Sequence, residues 1–261
     1  MNFDLVLCGV GGQGVLSTAY IVDHAAVDAG LHFKQPEVHG MAQRGGAVSA
    51  QVRLSDRPVS SDLISEGGAS AVLSVEPLES LRYMTLLRPD AWVITDVTPL
   101  KNIADYPDLP QLFDLLFTLP RVIAVDATRL ASKAGAMKAQ NMVVLGAAAA
   151  HLPLPVELLE KHLGALFGGK GERIAEANRR AFRMGQAAEK FSAALRAASV
   201  APGLVARVVA RLSFEPSPAA DDVVKAWAER LNRPDGAAFA ARVFASRDLL
   251  PLDAALPSTL S

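Results

Sequence analysis

Short apolar runs, each followed by a longer mixed segment, dominate the first half of the chain. Runs of this kind that are rich in β-forming residues are typical of buried strands. The predicted strands cover residues 3–8, 32–38, 47–54, 70–75, 91–96 and 121–126. Segments between them, notably 14–29 and 77–87, are predicted as helices. Strands that alternate with helical segments favour an α/β fold with a mostly parallel sheet.

The pattern changes to helix from Met137 onward. Apolar residues recur at helical spacing in three segments, over 137–151, 155–166 and 171–197. The sequence VAPG at 200–203 then indicates a boundary, beyond which we predict short helices and no strand. We therefore expect a Rossmann-like layered α/β domain over residues 1–195 and a helical C-terminal extension over 196–261. The extension is expected to pack on the main domain or on a partner.

Composition excludes several classes of function. The chain has 261 residues, of which 51% are hydrophobic and 20% charged, so a large buried core is feasible. Its net charge of −1 gives little basis for binding a nucleic-acid backbone. The N-terminus lacks the basic segment of a signal peptide, and the most apolar run, 142–150, is too short to span a membrane. We expect a cytoplasmic protein that binds neither nucleic acid nor membrane.

A single cysteine, Cys8, limits the metal and redox chemistry of the chain. One thiol can form neither an internal disulfide nor a four-cysteine zinc site nor an iron–sulfur cluster. The histidines also lack the H-x-x-x-H or H-E-x-x-H spacing of a metal site. We therefore predict no metal on this chain, a structural role for Cys8, and any metal redox chemistry on another chain.

A glycine-rich loop follows the first predicted strand and precedes the first helix. Residues 9–14 read GVGGQG and fit the pattern G-x-G-x-x-G. Glycines let backbone N–H groups approach an anion, and the helix N-terminus adds partial positive charge. The spacing supports anion binding and close helix–strand packing about equally. The candidate binding residues are Gly9, Gly11, Gly12, Gln13 and Gly14.

A dinucleotide-binding domain would also need an acidic residue about 20 positions further on, at the end of the second strand. Glu37 lies in that region. A free-standing NAD(P)- or flavin-binding oxidoreductase therefore stays open as an alternative. Pro36 and the polar residues after Glu37 nevertheless make an unusual strand end for a ribose contact.

Polar side chains and glycines are concentrated in a second loop, residues 37–46, with the sequence EVHGMAQRGG. If this loop folds back over the first, its polar groups converge on one ligand. Arg44 then offers a guanidinium fork suited to a carboxylate or phosphate. The alternative is a solvated surface loop. The candidate residues are Glu37, His39, Gln43, Arg44, Gly45 and Gly46.

Three later residues are weaker candidates. Asn141 opens an apolar helix and is a candidate to reach the first glycine loop. Asp96 and Asp126 each end a buried strand. Ligands gather at such strand ends in open α/β sheets, but helix capping explains an aspartate there equally well.

The two loops in this order, followed by Val52 and Arg53, resemble the gamma-type subunits of the 2-oxoacid:ferredoxin oxidoreductases, and within them the indolepyruvate branch. The resemblance continues through SSDLI (60–64), EPLE (76–79), NMVVLG (141–146) and NRRAFRMG (178–185). It covers about residues 1–187, so the C-terminal extension lies outside it.

The resemblance implies an activity divided between chains. Complexes of this family oxidatively decarboxylate a 2-oxoacid, add coenzyme A as co-substrate and pass electrons to ferredoxin. In the indolepyruvate branch the substrates are aryl pyruvates, and the large subunit holds thiamine diphosphate, Mg²⁺ and [4Fe–4S] clusters. This chain lacks the Gly-Asp-Gly and Asn-Asn motifs that a thiamine–magnesium site would require.

The implied role is a subunit that binds no cofactor by itself, is inactive alone and completes an active site held mainly by the large subunit. The assembly would be a hetero-oligomer, for example a dimer of heterodimers. No residue of this chain is assigned a catalytic role. The loops would contact coenzyme A, the substrate or only the partner chain. A purely structural subunit, in which the glycine loops serve packing alone, is the third hypothesis.

Overall fold

The computed structural model of the chain describes residues 1–36, 45–101 and 103–253. The elements of the first part are β1 (Asn2–Val10), α1 (Val15–Asp28), β2 (His32–Lys34), β3 (Ala47–Ser55), β4 (Ala69–Ser74), α2 (Pro77–Leu81), β5 (Leu87–Asp96), α3 (Leu109–Leu116), β6 (Val122–Val125) and α4 (Ala127–Lys133). The remaining elements are α5 (Gln140–Ala148), α6 (Val156–Gly168), α7 (Glu172–Ala197), α8 (Pro202–Val209), β7 (Leu212–Ser213), α9 (Asp221–Leu231), α10 (Gly236–Phe244) and β8 (Leu250–Pro251).

The predicted strands all form, with shifted ends. The second is the shortest, since β2 ends at Lys34, just before the proline that was expected to disturb it. The predicted helix over 77–87 is two pieces, α2 and a 3₁₀ turn at Met84–Leu86, which leads directly into β5. Two further helices, α3 and α4, cover segments in which no individual helix was predicted.

Within the described residues, the main sheet has six strands in the order β2-β3-β1-β4-β5-β6. Strands β1, β4, β5 and β6 are parallel, whereas β3 runs antiparallel to both β1 and β2. The predicted α/β fold with a mostly parallel sheet is therefore confirmed. The chain leaves β1 toward β3 on one side and returns to β4 on the other. The carboxyl ends of β1 and β4 thus border the crevice where ligands bind in open α/β sheets.

Helix α5 forms the centre of the helical layer, and almost all of its residues are buried. Two glycines bring it into backbone contact with α7. A Cβ atom on Gly146 would lie 1.9 Å from the carbonyl oxygen of Phe182, and one on Gly185 would lie 2.0 Å from that of Val143. Neither site can accept a side chain without moving a helix, so the spacing of α5 and α7 is fixed by these two positions.

The C-terminal extension packs on the main domain. Ala206 of α8 is buried with Leu116 and Val122, at the edge of the sheet formed by β6. Trp227 of α9 is fully buried and meets Phe191 of α7 edge-on, with ring centroids 6.2 Å apart. The division into residues 1–195 and 196–261 as separate folding units stays a prediction.

The extension also contains a short parallel pair of strands, β7 and β8, so the prediction that it has no strand was wrong. Each strand has two residues, and the partners lie far apart in the sequence. A pairing this short leaves no alternating pattern from which it could be predicted.

In the described part of the chain, every helix is too short or too polar for a membrane span.

Aspartate 23 is an unusual buried acid in this fold. It lies in α1 with 8% of its surface exposed, and its Oδ1 atom has no hydrogen-bond partner among the described residues. Removal from water disfavours the charged carboxylate, and burial raises the pKa of Asp23 to about 7. The folded chain therefore holds a proton here that the unfolded chain releases at lower pH.

We predict that the Trp227→Ala substitution lowers the free energy of unfolding by about 3–5 kcal/mol, since it leaves a cavity between α7 and the extension. Urea unfolding followed by circular dichroism measures the change. The exposed Leu115 in a Leu115→Ala variant is the matched control and is expected to have little effect. An unchanged midpoint for the Trp227 variant would mean that the extension does not stabilise the chain.

We also predict a pH dependence that Asp23→Asn removes. Because the folded pKa is raised, the stability of the natural chain falls as pH rises from about 4 to 7. Over that range the variant gains about 2–4 kcal/mol relative to the natural chain. Urea unfolding at several pH values measures this difference, and the exposed Asp62→Asn is the control. A constant difference across the range would contradict the assignment.

Candidate functional site

The first glycine loop lies at the carboxyl end of β1, as predicted, and turns the chain directly into α1. Gly12 and Gly14 have positive φ angles of 97° and 83°, a conformation that L side chains rarely adopt. Gly9 is required for a different reason: a Cβ atom there would lie 2.3 Å from the side chain of Val75. The glycines thus serve both the turn and the close approach of the segment after β4.

The end of the second glycine loop meets the first loop. The N–H of Gly11 donates a hydrogen bond to the carbonyl oxygen of Gly46, at 2.8 Å. Gly45 and Gly46 lead into β3, the antiparallel neighbour of β1, so the end of the second loop is held beside the first. Glu37, His39, Gln43 and Arg44 lie outside the described residues, and their convergence on a ligand stays a prediction.

The side chain of Gln13 spans the crevice between β1 and β4. Its Oε1 atom accepts a hydrogen bond from the N–H of Val10 at 2.7 Å, and its Nε2 atom donates to the carbonyl oxygen of Val75 at 2.9 Å. The amide that was predicted to contact a ligand is therefore engaged within the protein. Gln13 thus fixes the loop against the segment that follows β4.

Asn141 locks the loop to the helical layer. Its Nδ2 atom donates to the carbonyl oxygen of Gly14 at 3.0 Å and to the hydroxyl of Thr18 at 3.3 Å. The expectation that Asn141 reaches the first glycine loop is confirmed. A Cβ atom on Gly14 would lie 2.5 Å from the same Nδ2 atom. Position 14 therefore requires glycine for two reasons, the lack of space for a side chain and the positive φ angle.

Only part of the loop is open to an anion. The N–H groups of Val10, Gly11 and Gln13 already have protein acceptors. Those of Gly12 and of the first turn of α1 have none among the described residues, and this turn carries no acidic side chain. The positive end of α1 and the exposed Gly12 are therefore the parts of the loop that can receive a carboxylate or phosphate.

The carboxyl ends of the other strands are occupied by buried carboxylates with structural roles. Asp126 caps α4 by accepting from the N–H of Arg129 at 3.0 Å. Asp96 accepts from the N–H of Ala127 and the hydroxyl of Thr128, and burial raises the pKa of Asp96 to about 7. Capping explains Asp126, and its sequence signal is an aspartate that directly precedes a helix. Asp96 is not directly followed by a helix, and it accepts instead from the first turn of α4, which follows the neighbouring strand.

Glu76, which sequence reasoning did not single out as a site residue, caps α2 by accepting from the N–H of Glu79 at 2.9 Å. It also accepts from the hydroxyl of Tyr106 and from the N–H of Leu100. Proline at the first position of α2, preceded by an acidic residue, is the signal that could have identified this cap.

The sheet order disfavours the dinucleotide-binding alternative. In that alternative the strand that carries the acidic residue lies directly beside the strand before the glycine loop. Here β3 separates β2 from β1, so the end of β2 lies two strand spacings from β1, about 9–10 Å. The end of β2 also lies level with the start of β1 and not with the glycine loop, since Lys34 and Asp4 both pair with Arg53.

Cys8 lies inside the protein, directly before the glycine loop. It is fully buried, and burial raises the pKa of its thiol to about 12, so the reactive thiolate does not form near neutral pH. The predicted structural role fits this environment. In the part of the chain that the structure describes, no three His, Cys, Asp or Glu side chains are grouped to hold a metal ion.

The chain is similar to known proteins over most of its length. Residues 4–188 match the family described as pyruvate ferredoxin/flavodoxin oxidoreductase. Over 194 residues the chain is 38% identical to indolepyruvate oxidoreductase subunit IorB of Archaeoglobus fulgidus, which covers 71% of this chain and 94% of that relative.

Solved structures share the fold. The gamma subunit of a keto/oxoacid ferredoxin oxidoreductase from Geobacter sulfurreducens matches with a TM-score of 0.52 and 24% identity, over 71% of this chain and 94% of that chain. A 2-oxoglutarate:ferredoxin oxidoreductase from Magnetococcus marinus matches with a TM-score of 0.57 and 18% identity. That match covers 94% of this chain and 41% of the longer one, so it reaches into the C-terminal extension.

We predict that Gly14→Ala destabilises the chain by about 2–4 kcal/mol, because the methyl group adds a clash with Asn141 to the strain of a positive φ angle. Gly12→Ala is the matched control: it carries similar strain in open space and is expected to cost about 1–2 kcal/mol. The double variant Gly14→Ala, Asn141→Ala should be destabilised by less than the sum of the costs of Gly14→Ala and Asn141→Ala measured alone. Thermal melts of the natural chain, the three single variants and the double variant measure these costs, and full additivity would contradict the contact.

Proposed function

The chain belongs to the pyruvate ferredoxin/flavodoxin oxidoreductase family, and on that premise we propose that it is the small subunit of an indolepyruvate-type oxidoreductase. In this proposal the complex oxidatively decarboxylates an aryl 2-oxoacid to an acyl-coenzyme A and passes the electrons to ferredoxin. The observation that carries the proposal is the 38% identity to a relative named as an indolepyruvate oxidoreductase subunit, over 94% of that relative.

The proposed division of labour places the cofactors on a large partner subunit. That partner would hold thiamine diphosphate, Mg²⁺ and the [4Fe–4S] clusters. The residues of this chain support the division. Its only thiol is Cys8, and an iron–sulfur cluster needs several thiolates. Burial raises the pKa of the Cys8 thiol, so the thiolate form is strongly disfavoured. The isolated chain would then be inactive, even with added thiamine diphosphate.

The proposed task of this chain is to complete the wall of the shared active site. Thiamine diphosphate on the partner would supply the decarboxylation chemistry, and that chemistry would need a site shielded from water. The exposed Gly12, the N-terminus of α1 and Arg44 together offer donors for an anionic group. We infer that they hold an anionic part of the 2-oxoacid or of coenzyme A. The hydrogen bond between Gly11 and Gly46 supports this inference, since it brings the end of the Arg44 loop to the first loop.

A purely structural subunit is the second candidate, and one observation favours it. The side chain of Gln13 and the space around Gly9 are used for packing against Val75. In that case the glycine loops would only fix the strand ends and the surface that meets the partner. The two candidates differ in what happens when a charged group is removed from the second loop.

We predict that Arg44→Ala lowers kcat/KM of the assembled, cluster-replete complex by about tenfold to a hundredfold, the effect of one lost charged hydrogen bond. Arg44→Lys should restore only part of the rate, because an ammonium lacks the planar fork of a guanidinium. Steady-state kinetics in which the aryl 2-oxoacid and coenzyme A are varied separately measure which substrate is affected.

Arg57→Ala is the matched control, because Arg57 is exposed and follows the opposite end of β3. It should leave both constants unchanged, and size-exclusion chromatography should show that every variant assembles. Unchanged constants for Arg44→Ala would favour the structural-subunit candidate. Turnover of indolepyruvate by this chain alone would contradict the proposed division of labour.

A further inference from the structure

A cleft of about 600 Å³ lies between the main domain and the C-terminal extension, away from the glycine loops. Its walls come from α3 and α4 on one side and from α8, α10 and residues 245–248 on the other. The cleft therefore exists only because the extension packs beside the carboxyl end of β6. A volume of this size is typical of small-molecule sites.

Arginine dominates the polar lining of this cleft. Within the described residues four arginines line it, namely Arg129, Arg207, Arg211 and Arg247, against two aspartates, Asp114 and Asp248. Arg207 is paired with Asp114 at 2.7 Å. Arg247 is exposed and has no ion-pair partner in the part of the chain that the structure describes.

Two of the guanidinium groups share a single carboxylate. The Oδ2 atom of Asp126 accepts from Arg129 at 2.7 Å and from Arg211 at 2.9 Å. Asp96 also attracts the Arg211 guanidinium, but burial raises the pKa of Asp96 to about 7, so it carries only part of a negative charge near neutral pH. The two carboxyl groups therefore leave a partial positive charge at this end of the cleft. Burial, with Arg129 as a further cation nearby, lowers the pKa of the Arg211 guanidinium despite its ion pair.

The guanidinium group of Arg211 is fixed by its contacts within the protein. Its Nε atom donates to the carbonyl oxygen of Phe244 at 2.9 Å, and its guanidinium carbon lies 4.9 Å from the centre of the Phe244 ring. These bonds use two of its five N–H donors, and the structure gives no described partner for its Nη2 atom. A guanidinium that is fixed in advance loses little freedom on binding, which favours affinity.

The α3 side of the cleft is mainly apolar. Leu109, Pro110 and Phe113 line it beside Asp114, and the Phe113 ring meets the ring of Phe244 on the other side edge-on, with centroids 5.1 Å apart. A ligand that suits both walls has an anionic group at one end and a flat, weakly polar body at the other. Because guanidinium forks match phosphate oxygens in pairs, and several guanidinium groups face one cleft, phosphate fits this lining better than a single carboxylate does.

We propose that this cleft binds a small phosphate-bearing molecule with a planar body, the chemistry of a mononucleotide. Arg211 and Arg247 would bind the phosphate groups, and Leu109, Pro110 and Phe113 would contact the planar body. The lining of this site does not include the loops that are proposed to face the shared active site.

Isothermal titration calorimetry on the isolated full chain, with ADP and pyrophosphate as probes at constant ionic strength, tests the proposal. ADP should bind measurably at concentrations up to about 1 mM and at least tenfold more tightly than pyrophosphate, which lacks the planar body. Arg247→Ala and Arg211→Met should each weaken ADP binding by about tenfold to a hundredfold. Arg242→Ala is the matched control, because Arg242 is exposed on α10 outside the cleft and should not affect binding.

Hydrogen exchange locates the bound probe even if Arg211→Met fails to fold. ADP should slow exchange of the backbone amides at 244–248 and leave those of the first glycine loop unchanged. Absence of ADP binding, protection at the glycine loop alone, or equal weakening by Arg242→Ala would each overturn the proposal. Equal affinity for pyrophosphate and ADP would overturn the assignment of a planar ligand.

Discussion

The backbone contact between α5 and α7 is the constraint on which the position of the glycine loop depends. Gly146 and Gly185 let the two helices touch without side chains between them, so neither helix can slide or rotate freely. The start of α5 is thereby fixed at the carboxyl edge of the sheet. Asn141 lies there and bonds to Gly14, which transfers the rigidity of the helical layer to the loop.

The placement of β3 beside β1 has the second large effect on the site. A glycine loop of this spacing is familiar from dinucleotide-binding folds, but here an antiparallel strand occupies the neighbouring position. The chain that enters this strand holds Gly46, at the end of the second glycine loop, beside Gly11 of the first. The same topology that disfavours a ribose contact therefore joins the two loops at this point.

The C-terminal extension packs against the same edge of the sheet at the carboxyl end of β6. Asp126 ends β6 and caps α4, and it also holds Arg211 of the extension. The buried carboxylate of Asp126 thus both caps a helix and binds a segment that lies outside the residues matched by the family. The result is an arginine-lined cleft that is chemically distinct from the glycine loops, so one sheet edge carries two separate polar surfaces.

The sequence by itself determined the features that depend on local pattern. Apolar runs such as 91–96 and 121–126 predicted the parallel strands, and the loop 9–14 predicted a turn before α1. Burial and backbone freedom of this kind can be read from neighbouring residues. Tertiary structure alone decided that Gln13 is engaged across the crevice and that β7 pairs with β8. It also decided that guanidinium groups from distant segments share Asp126. These features depend on contacts between residues far apart in the chain, and no local periodicity records which distant segments will meet.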